Sequence, residues 1–167
     1  MSRQLLDISE TVDLITMLLP VNGKSLLLPN VSVAEIIQVL EMDELEDVPT
    51  WFKGMVGWRG YAIPLLSFEA INDEPFAADS NKHAAVLNGA VDGAVLPFYA
   101  IATQSTPRMM RISSREVVEN SEASAGPAEL AAVNVCGETA SIPNLDLIET
   151  EVIAVLKQLG FGIANAG

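Results

Sequence analysis

Reactive side chains are scarce in this sequence. It contains one histidine, His83, and one cysteine, Cys136, too few for the clusters that hold zinc or for an internal disulfide. Cys136 follows the alternating Val133 and Val135 just before an expected hairpin turn, where a packed thiol explains it better than a nucleophile does. His83 opens a strand after a polar loop and reads as a surface residue. Basic residues are few as well: 9 Lys and Arg stand against 22 Asp and Glu, a formal charge of −13. That excludes nucleic acid, whose phosphates are held by clustered Lys and Arg, and it disfavours an anionic membrane surface. Aromatic residues make up 5%, little material for the aromatic-lined cleft of a carboxylate-pair glycosidase.

Several signatures are missing. Gly89-x-x-x-Gly93 lacks the Lys and Ser/Thr of a phosphate loop, and no G-x-S-x-G elbow occurs. The longest apolar stretch, Gly93 to Ala102, is interrupted by Pro97 and falls far short of the ~20 residues that span a bilayer. Asp7, Glu10 and Asp13 argue against a secretory signal. No cofactor or metal is expected, and a cytoplasmic location is.

The rest of the 167 residues (17.8 kDa) suits one domain or two small subdomains. Hydrophobic residues are 50%, and charged residues, at 19%, lie below the roughly 25% usual for soluble domains. With mean hydropathy at +0.33, the excess must sit in a large core or under a partner. Leu14 to Leu19 and Ser25 to Leu28 flank Asn22-Gly23, the pair that favours a type I′ hairpin turn. A helical turn at Ser32 is expected to pass into a strand through Ile36, Ile37 and Val39. Glu41 to Asp47 carries five carboxylates in seven residues without the spacing of a calcium loop, and reads as a solvated loop.

Met55 to Trp58 and Tyr61 to Ile63 predict two strands joined through Arg59-Gly60. Gly54, Gly57 and Gly60 suggest tight bends or a bulge, and Pro64 an edge or a bulge. Asn72 to Lys82 is a polar connector. A hairpin with a turn near Asn88-Gly89 or Asp92-Gly93 is expected over His83 to Thr103. A strand at Met109 to Ile112, a loop over Glu119 to Glu129 and a hairpin turning at Cys136-Gly137 follow. Leu145, Ile148, Val152, Val155, Leu156 and Leu159 form one helical stripe that Gly160 stops, and the tail beyond is expected to be mobile. Ile63-Pro64 and Ile142-Pro143, each closing a hairpin and followed by alternating apolar residues, echo one another. The expectation is a mainly β chain of two small packed β-barrels, with halves near 14–71 and 83–143, short helical turns and a C-terminal helix over 144–159.

The segment from Val33-Ala34-Glu35-Ile36 through Val48-Pro49 to Phe52-Lys53-Gly54-Met55-Val56-Gly57-Trp58-Arg59-Gly60-Tyr61-Ala62-Ile63-Pro64-Leu65-Leu66-Ser67-Phe68 resembles the CheW family of chemotaxis coupling proteins. Its pattern is a V-x-E-I strand, a V-P loop, then F-I-x-G-V-x-N-L-R-G-x-I-x-P-V-x-D-L, matched here over about 35 residues. The resemblance implies two five-stranded β-barrel subdomains in one domain spanning 1–167. It implies no catalytic activity, and an adaptor between the regulatory domain of a CheA-type histidine kinase and the signalling tip of methyl-accepting chemoreceptors in membrane-attached arrays. Gly57-Trp58 replaces the family's Asn-Leu and Ser67 its Asp, a divergence similar to that of CheW-like adaptors serving type IV pili and twitching. With no kinase core or receiver domain in view, a free-standing adaptor is expected.

By itself Arg59, at a hairpin tip, reads equally as an ordinary turn residue whose head points to water; the resemblance makes it the leading partner-binding candidate, where a guanidinium offers five donors in a fixed plane. Trp58, Glu35, Val33 and Gly60 join it. The family's aliphatic residue at the Trp58 position argues for burial there. Gly54 and Gly57 are assigned to turns. The competing reading is a small β-barrel ligand-binding protein or carboxylate-dependent hydrolase. It requires a carboxyl group with a raised pKa inside a deep apolar pocket. A purely architectural subunit, with a self-complementary interface, is a third reading.

Overall fold

A computed structural model describes residues 13–75 and 82–161. The start of the chain, the centre of the polar connector and the tail after Phe161 lie outside the described residues.

Eleven strands and two α-helices occur among the described residues, in the order β1 (Asp13–Val21), β2 (Lys24–Pro29), β3 (Val33–Gln38), β4 (Phe52–Trp58), β5 (Tyr61–Leu66), α1 (Phe68–Ile71), β6 (His83–Asn88), β7 (Phe98–Thr103), β8 (Arg108–Ser113), β9 (Val117–Glu119), β10 (Glu129–Val135), β11 (Glu138–Pro143) and α2 (Leu145–Gln158). Single 3-10 turns at Asn30–Ser32 and Ser114–Glu116 precede β3 and β9. The strands form a six-stranded sheet, β8-β1-β2-β11-β10-β9, and a five-stranded sheet, β3-β6-β7-β5-β4. These are the two β subdomains, one with six strands where five were expected. The sheets also cut across the expected halves. Hairpin β1–β2 leaves its sequence neighbours and joins β11 in parallel, through Ala140↔Ser25 and Ser141↔Leu26.

Both faces of the central strands are buried, which explains why they read as unbroken apolar runs. Met17, Leu19, Leu26, Leu28, Ala85, Leu87, Tyr99 and Ile101 face a core shared by both sheets and α2. The alternate residues Leu18 and Leu27 fill the six-stranded subdomain, and Ala84, Val86, Ala100 and Ala102 the five-stranded one. Helix α2 contributes Ile148, Val152, Ile153, Val155 and Leu156 to the shared core, and Asn144 caps it by accepting from the Leu147 N–H.

The internal echo is structural. Hairpins β4–β5 and β10–β11 each turn through two residues of positive φ, Arg59 and Gly60 in one, Cys136 and Gly137 in the other. Each has a register shift early in its first strand, each second strand carries the Ile-Pro step, and each is followed by a helix with a side-chain cap, Ser67 or Asn144.

Local expectations change for physical reasons. Gly23 has positive φ but Asn22 does not, so their turn is not type I′; the Asn22 N–H donates instead to Glu69 Oε2 at 2.8 Å. Cys136 sits at φ 50° in its turn and is exposed rather than packed. Pro64 lies in a strand with neighbours on both sides, tolerated because the β7 ladder covers only Leu65 and Leu66. Strands β6 and β7 are joined by the long loop 89–97, not a tight turn. Its Ala90 and Val91 N–H groups donate to the fully buried Glu149, which also accepts from the Tyr99 hydroxyl at 2.7 Å.

Candidate functional site

Strands β3 and β4 are the two edges of the five-stranded sheet. The sheet nevertheless curls far enough for their side chains to meet, and they meet at Glu35 and Trp58. The indole Nε1–H of Trp58 donates to Glu35 Oε1 at 3.0 Å, and Arg59 Nη2 lies 2.9 Å from the same oxygen. The guanidinium carbon sits 5.0 Å from the centre of the Trp58 ring, a cation–π contact. The ring is backed by aromatics: Phe98 packs edge-on at 4.8 Å and Tyr61 lies at 6.4 Å, itself 5.1 Å from Phe98.

Exposure grades across the cluster. Trp58 is 8% exposed, Tyr61 48%, and the side chains of Glu35 and Arg59 40% and 67%. The arrangement is therefore a buried indole, flanked by the half-buried Phe98 and the exposed Tyr61, that carries a surface ion pair. Such a pair adds little to folding, about 0–1 kcal/mol, but it tethers a guanidinium that is two-thirds exposed.

The backbone that carries Arg59 is not one an arginine prefers. Its φ is 48°, in the left-handed region where a side chain other than Gly, Asn or Asp costs roughly 1–2 kcal/mol. The type I′ turn would accept asparagine more readily. Cys136 takes the equivalent position in the β10–β11 turn at φ 50°, so the conformation belongs to the hairpin, and what distinguishes Arg59 is its side-chain partners.

Four of the five partner-binding candidates thus converge, since Gly60 completes the turn at φ 83°. Val33 does not join them: it is half-buried against the shared core, separated from Glu35 by a register shift in β3. The turn assignments of Gly54 and Gly57 are corrected, because both lie within β4. Gly54 sits at the register shift, where an added Cβ would stand 2.5 Å from the Asp43 carbonyl oxygen, so its bare backbone lets the acidic loop bridge Met55. Gly57 is exposed strand with open space around it. Sequence reading missed Tyr61 and Phe98. Tyr61 was discoverable as the residue just past the turn; Phe98 comes from another hairpin and gave no signal.

The six-stranded subdomain offers a different surface. A cavity of about 360 Å³ is walled by Leu14, Ile15, Leu27, Pro29, Ile112, Val117 and Ile142, with Leu14 and Ile15 partly exposed at its mouth. No carboxylate is among its lining residues; a second cavity of about 340 Å³ is lined by Glu74 and Glu129, and there both carboxylates are engaged by Lys24. The buried carboxylates serve as joints instead. Glu69 accepts from the Asn22 N–H, the Ser67 hydroxyl and Gln104, and Glu149 pins the 89–97 loop. Glu129 accepts from the Gly126 N–H and is bound to Lys24, which also bonds Glu74 at 2.6 Å. Burial works against the Glu129 charge, yet the Gly126 N–H and the Lys24 ammonium outweigh it and hold the carboxyl below its usual value. Among the described residues no group of three or more His, Cys, Asp or Glu could hold a metal ion, and no helix is long and apolar enough to cross a membrane.

A family model described as a CheW-like domain matches residues 16–151. Among solved structures, the crystal structure of the scaffolding protein TtCheW from Thermoanaerobacter tengcongensis superposes with a TM-score of 0.64 at 10% identity, covering 79% of this chain and 89% of that one. No curated protein matches the sequence.

Proposed function

The chain belongs to the CheW-like domain family, and from that premise we propose that it is a non-catalytic adaptor coupling the regulatory domain of a CheA-type histidine kinase to the signalling tip of chemoreceptors. Family membership supports a scaffold or adaptor role in chemotaxis-type signalling. The two partners, a cytoplasmic location with recruitment to membrane-attached arrays, and service in chemotaxis or in pilus-driven twitching are the finer parts of the proposal.

The observation that carries it is Arg59: an exposed guanidinium at a hairpin tip, in a backbone conformation it does not favour, aimed by Glu35 and a tryptophan ring. Guanidinium groups so fixed are common hot spots of protein interfaces. An adaptor also needs two faces. This chain offers two of unlike chemistry on different subdomains, the Arg59 cluster and the apolar cavity around Leu14 and Ile15. Leu14 and Ile15 at the cavity and Tyr61 beside Arg59 are exposed apolar side chains that a partner would cover.

The test is a pull-down from the native cell extract, followed by titration with purified kinase and receptor fragments. Retention of both is expected, with Arg59→Asp weakening a contact by about 2 kcal/mol or more in a domain that stays folded. Recovery of neither partner contradicts the proposal.

A further inference from the structure

Trp58 does more at this site than fill a core. Its indole makes two polar contacts of different kinds: the N–H goes to Glu35 Oε1, and the ring face lies beneath the Arg59 guanidinium. Glu35 comes from β3 and Arg59 from the β4–β5 turn, the two ends of a sheet whose edge strands are not paired by backbone hydrogen bonds. Without the indole, the pair would rest on one ion contact between two side chains each more than a third exposed, a contact that long side chains readily lose to solvent. With it, each charged group has a second holder. The indole is itself held by the buried cluster of Val56, Ile63 and Val86, and by Phe98 and Tyr61 at its rings.

We infer that Trp58 is a positioning residue for partner binding: it locks Glu35 and Arg59 into one preformed unit and, by covering one face of the guanidinium, leaves the in-plane edge to meet an acceptor on the partner. The inference rests on the adaptor reading for its consequence, while the locking itself is a property of the free protein. Preformation lowers the ordering cost at docking. A leucine at 58 would fill much of the same core volume and provide neither contact.

The experiment compares wild type, Trp58→Phe, Trp58→Leu, Arg59→Ala and the Trp58→Leu/Arg59→Ala double variant, each first checked for folding by its thermal transition. In the free protein, nitrogen relaxation at Arg59 Nε is expected to give an order parameter above about 0.6 in wild type and well below it in Trp58→Leu, with Trp58→Phe between them. The Trp58 indole N–H resonance should move in Glu35→Gln. Against purified kinase regulatory domain and receptor-tip fragments, Trp58→Leu should weaken the Arg59-dependent contact about tenfold and Trp58→Phe about threefold. The double variant should be no more than about twofold weaker than Arg59→Ala alone, because the two changes remove the same unit. An unchanged Arg59 order parameter in Trp58→Leu, or binding losses that add, overturns the inference. If wild type binds neither fragment, the adaptor reading fails, and the order parameter still decides whether Trp58 positions the pair.

Discussion

Arg59 and Cys136 occupy the same place in two copies of one hairpin, each first in a type I′ turn with positive φ. Cys136 is exposed and its thiol is pushed up, by local desolvation and then by the Glu116 carboxylate beside it; Arg59 sits on Trp58 and pairs with Glu35. Asparagine suits either backbone better. Cys136→Asn should therefore raise stability, read as a higher midpoint in urea unfolding. Arg59→Asn loses a cation–π contact and a surface ion pair while relieving the turn, for a net change within about 1 kcal/mol of zero. Binding to the partner that contacts this turn should nevertheless fall at least tenfold, about 1.4 kcal/mol. A loss of folding that parallels the loss of binding would mean that Arg59 serves the fold.

The buried pair of Lys24 and Glu129, with side chains 16% and 2% exposed, makes a pH prediction. Glu129 titrates below the ordinary glutamate value in the folded state, so its stabilisation is present above that ordinary value and is lost as pH falls through the lower, folded value. Burial opposes the Lys24 charge, but Glu129 and Glu74 prevail and raise it above 10.5. Its contribution is full below 10.5 and is lost as pH rises through the folded value. Both contributions are in force at neutral pH. Glu129→Gln should cost about 2 kcal/mol at pH 7 and flatten the acid limb of stability against pH. An acid limb identical to wild type would contradict this.

At the scale of elements, local pattern carried the reading well where residues settle their own neighbours. The β4–β5 turn, the strand after the Ser32 turn and the α2 stripe follow from spacing alone. Gly54, Gly57 and Gly60 looked equivalent at intervals of three, yet their surroundings differ completely, because what approaches a strand comes from elsewhere in the chain. Gly54→Ala should destabilise by about 2 kcal/mol or more, since the Asp43 backbone blocks the new methyl group, while Gly57→Ala should stay within about 0.5 kcal/mol. Equal effects in thermal unfolding would refute the placement of the acidic loop against β4. Asn22-Gly23 failed as a type I′ turn for a related reason: a buried glutamate 47 positions away recruits the Asn22 N–H. The 89–97 loop likewise obeys Glu149, on a helix that no local reading connects to it.

For the whole molecule, the two Ile-Pro hairpins pointed to an internal duplication, whereas the burial of both strand faces emerges only from the packed sheets. The exchange of β1–β2 into the second sheet was not legible, because its parallel contact with β11 joins segments more than a hundred residues apart and leaves no periodic trace. The members of the candidate cluster, Glu35, Trp58, Arg59 and Gly60, were legible one by one, but their meeting in space was not. Its assembly depends on a sheet curling until its outermost strands touch, and on Phe98 from a third hairpin. If two proteins dock on this chain together, an immobilised receptor-tip fragment that has taken up the protein should in turn take up the kinase regulatory domain. The kinase domain should be captured only when the protein is present, and Arg59→Asn should reduce one of the two steps and spare the other. Kinase and receptor fragments that displace each other from the protein, or that never engage it, would mean that it does not bridge them.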